Sequence, residues 1–236
     1  MRALAALAAL ALSGCGDCGR KPRPANPCPG DPTHSGRATY YAADGSGKCS
    51  FEPSPDDLMV AALDDVDYAD AALCGACVAV TGPTGSVVVR VVDRCPGCEP
   101  GDVDLSREAF ARIAPLEQGR VTVTWHVVAC DVVAPIVYHF KERSNASWTG
   151  VQIRNHRYPV VTFERRRDDG VYEDVPRADF NYFVDRDGMG PGPYTFRLTD
   201  SKGHVVEDTG VALAAPTVPL SSATDVASAS QFPPCD

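Results

Sequence analysis

Val87-Val88-Val89-Arg90-Val91-Val92-Asp93-Arg94-Cys95-Pro96 is followed closely by Asp102-Val103-Asp104-Leu105-Ser106. The valine run is nearly all β-branched and is entered from Gly82-Pro83-Thr84-Gly85, so it reads as a buried strand leaving a turn. Ser106 suits the cap of a short helix, Glu108 its first turn, and Ala109, Phe110 and Ile113 its apolar face. Val121, Val123, Trp125 and Val127 then alternate with Thr122, Thr124 and His126, the period of a half-buried strand. Beyond Cys130 no helical period is present. Short apolar runs at 136–140, 151–153, 160–163 and 196–198 read as strands. Asp168-Asp169-Gly170 and Asp200-Ser201-Lys202-Gly203 read as hairpin turns. A mainly β chain of two domains is expected, the second a small β-sandwich.

The amino terminus sets the compartment. Met1-Arg2 precedes a ten-residue Ala/Leu run, too short to span a bilayer and right for the apolar part of a signal peptide. Leu12-Ser13-Gly14-Cys15 resembles a bacterial lipobox, so residues 1–15 are expected to be a lipoprotein signal peptide with lipid on Cys15. Residues 16–33, with Pro22, Pro24, Pro27, Pro29 and Pro32, read as a stiff tether. The protein is expected to be exported and to meet a membrane only through that anchor. A net charge of −9 argues against nucleic acid, whose phosphates need clustered Lys and Arg. Most of that charge lies in residues 30–130, which carry 7 basic and 15 acidic side chains.

Ten cysteines in 236 residues fit an oxidising compartment. With Cys15 lipidated nine remain, an odd number, and Cys18 on the tether is the candidate free thiol. The other eight are expected in disulfides, with 105 possible connectivities. Cys95 and Cys98 make a plausible local pair, Cys49, Cys74, Cys77 and Cys130 would brace the first domain, and Cys28 and Cys235, which flank the globular body, would tie its two ends. Cys74-Gly75-Ala76-Cys77 and Cys95-Pro96-Gly97-Cys98 also have the spacing of a four-cysteine zinc ribbon. The export signal favours disulfides over that reading, so neither a metal nor a cofactor is expected.

The motifs, in order, resemble bacterial expansins over residues 36–214. They are Ala38-Thr39-Tyr40, Val92-Asp93 with Pro96, Asp104-Leu105-Ser106 with Ala109-Phe110 and Ile113, Lys141-Glu142, and Val151-Gln152-Ile153-Arg154-Asn155-His156-Arg157-Tyr158-Pro159-Val160. The resemblance implies a six-stranded double-psi β-barrel over 34–130, of the type shared with inverting endoglucanases. It implies an immunoglobulin-like carbohydrate-binding sandwich over 131–214, leaving a tail over 215–236. It further implies a monomer with one long groove for cellulose or a related β-glucan, loosened without hydrolysis.

By the same resemblance, Asp104 matches the general acid of the endoglucanases, Asp93 a second groove aspartate, and Thr39 a threonine beside Asp104. Tyr40 is placed among the glucan contacts. The partner base is missing: Tyr41 and Ala42 occupy its region, and Asp44 is the nearby carboxylate. On residue type alone, Asp93 would cap a turn and Asp104 would organise the helix start. In the second domain Lys141 and Trp148 match a cellulose-binding platform, and Phe180 stands where tyrosine is usual. Ser147 replaces one ring of a Trp pair, and Cys95 replaces an aromatic of the barrel. A core role for Phe180 competes with the platform role. Three other functions remain open on this sequence: a lytic transglycosylase, a weak endoglucanase, and an adhesin with an inert barrel.

Overall fold

The computed structural model describes residues 30–213 and 224–235. Six strands make the first domain: β1 (His34–Tyr41), β2 (Val60–Leu63), β3 (Cys77–Thr81), β4 (Ser86–Arg94), β5 (Val103–Ser106) and β6 (Val121–Val128). They close into a barrel in the order β1-β5-β2-β4-β3-β6. The parallel pairings β1–β5 and β2–β4 join segments distant in sequence, while β3–β4 is a hairpin. The expected alternation in β6 holds, with Val121, Val123 and Trp125 buried and Thr122, Thr124 and His126 exposed. Trp125 fills the barrel core, donates to the Gly101 carbonyl at 3.0 Å, and stacks on His34 at 3.9 Å.

Two short helices decorate the barrel. The one-turn α1 (Asp65–Tyr68), unread in the sequence, is capped by Asp64, which accepts from Val66 N at 2.8 Å. The expected helix is α2 (Arg107–Ile113), with Ser106 as cap and Ala109, Phe110 and Ile113 buried.

The second domain is a sandwich of two four-stranded sheets. Its strands are β7 (Val137–Phe140), β8 (Thr149–Arg154), β9 (Val160–Arg166), β10 (Tyr172–Asp174), β11 (Phe183–Asp185), β12 (Tyr194–Asp200), β13 (Val205–Val211) and β14 (Thr224–Ala227). One sheet runs β10-β9-β12-β13 and the other β11-β8-β7-β14. Phe140, Phe163, Phe183 and Phe196 pack between them. The segment expected as a tail beyond 214 is corrected here: β14 pairs with β7, Phe232 is buried in the sandwich core, and Cys235 is disulfide-bonded. The Ser/Ala-rich composition hid an edge strand that needs only one paired side.

Three disulfides join Cys49 to Cys74, Cys77 to Cys130 and Cys95 to Cys98. All four cysteines of the ribbon-like spacing are therefore bridged: Cys95 and Cys98 to each other, Cys74 to Cys49 and Cys77 to Cys130. Cys235 is disulfide-bonded too, to a partner outside the described residues. The expectations for Cys15, Cys18, Cys28 and the tether up to Pro29 fall outside the described residues.

The domains meet around Cys49. Its carbonyl accepts from Gln152 Nε2 at 2.8 Å and from Asn181 Nδ2 at 3.2 Å. Tyr68 Oη donates to the Asp179 carbonyl at 2.8 Å, and Arg154 pairs with Glu52 at 2.8 Å.

Candidate functional site

Strand register assembles the acidic part of the site. Thr39 on β1 lies opposite Asp104 on β5, Asp104 lies opposite Ala62 on β2, and Ala62 lies opposite Asp93 on β4. Residues in one row across a sheet share a face, so Thr39, Asp104 and Asp93 project together while Ala38, Val103 and Leu105 point into the core. A register shift between Ala61 and Ala62 against β4 re-aims Asp93 into this row.

Thr39 Oγ1 donates to Asp104 Oδ1 at 2.6 Å. Burial raises the pKa of Asp104; the Thr39 bond pulls it down, and the charge of Asp93 adds to the rise. The net result favours a proton on Asp104 compared with a free carboxyl. Asp93 does not stand free: its Oδ1 accepts from Lys48 N at 2.6 Å and from Arg94 N at 2.8 Å. Gly47 is required beside it, because a Cβ there would sit 2.5 Å from the Asp93 side chain. Asp102, so near Asp104 in sequence, has a separate task. It accepts from Arg37 N and Nη2, both at 2.7 Å, and ties β1 to the start of β5.

Asp44, weighed as a base, is exposed and accepts from Ser46 N at 2.9 Å and Ser46 Oγ at 2.6 Å. The Ser46 side-chain and backbone bonds hold its pKa below the usual carboxylate value, which weakens it as a base. Tyr40 is placed apart from the acid row. It lies opposite Leu105, on the other face of β1 from Thr39, and its partly buried ring packs on Phe110 at 5.0 Å against the barrel core. The residue missed on the groove face is Tyr41. Its hydroxyl is buried without a hydrogen-bond partner, and its pKa is pushed up by burial and by Asp93, Asp104 and Asp44. Strand alternation from Thr39 was the signal available for choosing Tyr41 over Tyr40.

The sandwich contributes a ring surface. Lys141 N donates to the Gly150 carbonyl at 2.9 Å. A Cβ on Gly150 would sit 3.1 Å from the Trp148 ring and 3.4 Å from Lys141 Cβ, so the half-buried indole lies over Gly150 beside the lysine. Lys141 Nζ lies 5.0 Å from the Tyr182 ring centre, and Tyr182 lies 5.8 Å from Phe180. Phe180 is partly exposed and stands outside the sandwich core cluster, whereas Tyr182, missed in the sequence, is buried beneath it. Trp148, Lys141 and Phe180 thus share one neighbourhood organised around Tyr182.

The family profile described as "DPBB_1: Lytic transglycolase" matches residues 60–125. Expansin-YoaJ of Bacillus subtilis (strain 168) is 36% identical over 184 residues, covering 76% of this chain and 78% of that protein. A crystal structure of a mutant Clavibacter michiganensis expansin in complex with cellohexaose superposes with a TM-score of 0.76 at 31% identity. It covers 86% of this chain and 98% of that one. The apo form of that expansin gives a TM-score of 0.75. With a closed double-psi barrel, a following sandwich and this degree of likeness along most of its length, the chain belongs to the expansin family.

Proposed function

We propose that this exported protein binds cellulose or a related β-glucan along a groove from Thr39, Asp104 and Asp93 to Lys141, Trp148 and Phe180. There it loosens the polysaccharide network without cleaving it. The observation that carries the reading is the half-buried Asp104, its carboxyl held by Thr39 and its pKa raised by burial. Inverting hydrolysis needs an acid and a base on opposite faces of the sugar. Asp93 lies in one row with Asp104 and is oriented by two backbone N–H groups at Oδ1, and Asp44 is exposed and held by Ser46, which argues against either as that base. Asp104 instead hydrogen-bonds a glucan hydroxyl and competes with the chain's contacts to its neighbours. The relative crystallised with cellohexaose supports the ligand class. A lipid on Cys15 would hold the protein at the cell envelope.

The test is creep of a clamped cellulose-rich wall, with wild type beside Asp104→Asn, and reducing ends assayed in the same bath. Extension by wild type alone, with no reducing ends from either, is expected. Reducing-end release that depends on Asp104 would overturn the non-hydrolytic reading. A second reading has one specific support, the lytic transglycolase profile over residues 60–125. A single acid suffices for that chemistry, and anhydro-sugar products from peptidoglycan would establish it. Cellulose binding with no creep by wild type would leave an adhesin.

A further inference from the structure

Between the barrel acids and the sandwich rings lies an ion pair that the motifs did not predict. Lys48 Nζ reaches Asp179 Oδ2 at 2.8 Å, and the two side chains retain 34% and 55% exposure. Each partner is anchored by its backbone. Lys48 N is bonded to Asp93 Oδ1 at 2.6 Å, and the Asp179 carbonyl accepts from Tyr68 Oη at 2.8 Å. Asp179 immediately precedes Phe180. The pair therefore bridges directly from the barrel's acid row to the sandwich's ring surface, across the domain junction.

We propose that Lys48 and Asp179 form a polar subsite that grips adjacent hydroxyls of the glucosyl unit crossing from barrel to sandwich. This deepens the groove reading and rests on it. The ammonium carries three donors and gives one to Asp179, while the carboxylate has lone pairs beyond that bond. The Lys48 side-chain bond holds the Asp179 pKa below its usual value, so it is an acceptor at neutral pH. A fixed donor beside a fixed acceptor matches a vicinal diol, each hydroxyl of which both gives and takes a hydrogen bond. Together the two groups carry no net charge, which suits a neutral sugar over a uronate. An exposed ion pair of this kind contributes little to stability, so simple latching of the domains gives it a weak reason to exist.

Calorimetric titrations with cellohexaose and cellotriose separate the possibilities, because the trisaccharide is too short to occupy both halves. Lys48→Met and Asp179→Asn are each expected to weaken cellohexaose binding roughly five- to tenfold, the loss of one charge-assisted hydrogen bond, with cellotriose binding unchanged. The exchange Lys48→Asp with Asp179→Lys restores the ion pair but reverses donor and acceptor. Cellohexaose affinity is expected to stay low in it. Full recovery in the exchanged protein would reduce the pair to a latch and overturn the subsite. Unchanged cellohexaose affinity in both single variants, with wild type binding, would overturn it as well. Failure of wild type to bind cellohexaose would overturn the groove reading itself.

Discussion

Removing the disulfides one at a time should rank their contributions by the length of chain each closes. Cys77–Cys130 spans a sequence separation of 53, Cys49–Cys74 one of 25, and Cys95–Cys98 one of 3. Loop-closure entropy then assigns about 4.2, about 3.5 and about 1.6 kcal/mol to them at 25 °C. For a chain of this size each kcal/mol moves the midpoint by roughly 2–4 °C. The Cys77→Ala, Cys130→Ala protein should therefore melt ~8–16 °C below wild type, and the Cys95→Ala, Cys98→Ala protein only ~3–6 °C below. The assay is thermal unfolding followed by tryptophan fluorescence, in which Trp125 reports on the barrel because it is fully buried there. The Cys77 pair has a further role, since Cys130 N donates to the Arg157 carbonyl at 2.9 Å where the chain passes into the sandwich. Its loss should also separate the two tryptophan signals into distinct transitions. A Cys95, Cys98 variant as unstable as the Cys77, Cys130 variant would overturn the entropic account.

Three further outcomes are expected. Asp104→Asn should abolish creep yet raise stability at neutral pH, because it removes a buried carboxylate whose folded pKa is raised. The favourable contribution of wild-type Asp104 is complete below the unfolded carboxyl value of about 3.9 and is lost as pH rises through its folded pKa. The advantage of Asn should therefore vanish in melting curves at pH 3, and an advantage that persists there would contradict the assignment. His156, only 4% exposed, has its pKa lowered to about 4 by burial. Its contribution is present above pH 6.5 and is lost as pH falls toward 4, by about 3 kcal/mol, and His156→Gln should flatten that limb of the stability–pH curve. Trp148→Ala should weaken cellulose binding by about 1 kcal/mol, roughly fivefold, and the exposed Ser147→Trp should strengthen it by a similar factor in a depletion assay.

The valine strand β4, the alternating β6 and the capped α2 were readable because each is declared by a local period or cap. The acid row was not readable from local pattern. Thr39 and Asp104 are 65 positions apart and meet only through a parallel pairing, which leaves no short-range trace. Ala62, the residue that sets Asp93 and Asp104 in line, belongs to a four-residue strand buried along its whole length, without alternation to betray it. Those two aspartates and Tyr40 entered through motif order, which records neighbours and not faces, so it did not separate Tyr40 from the row that holds Thr39 and Asp104. Lys48 was invisible for a related reason: its neighbours in sequence are Gly47 and Cys49, whereas its partners come from β4 and from the sandwich. Disulfide connectivity within the barrel was equally closed: Cys49, Cys74, Cys77 and Cys130 could be grouped from sequence, but only the fold decides that Cys74 meets Cys49 and Cys77 meets Cys130.

The Cys49 carbonyl, clasped by both Gln152 and Asn181, has a mechanical consequence. The same residue is bridged to Cys74, so the joint between the lobes is fastened to the wall of the barrel itself. On the function proposed above, such a joint resists bending between the lobes. A polymer strand lying flat on the rings while also reaching into the acid row would then take up the misfit between those surfaces as torsion. The protein would act as a wrench rather than a clamp, with the free energy of seating the strand supplying the work of prising it from its bundle.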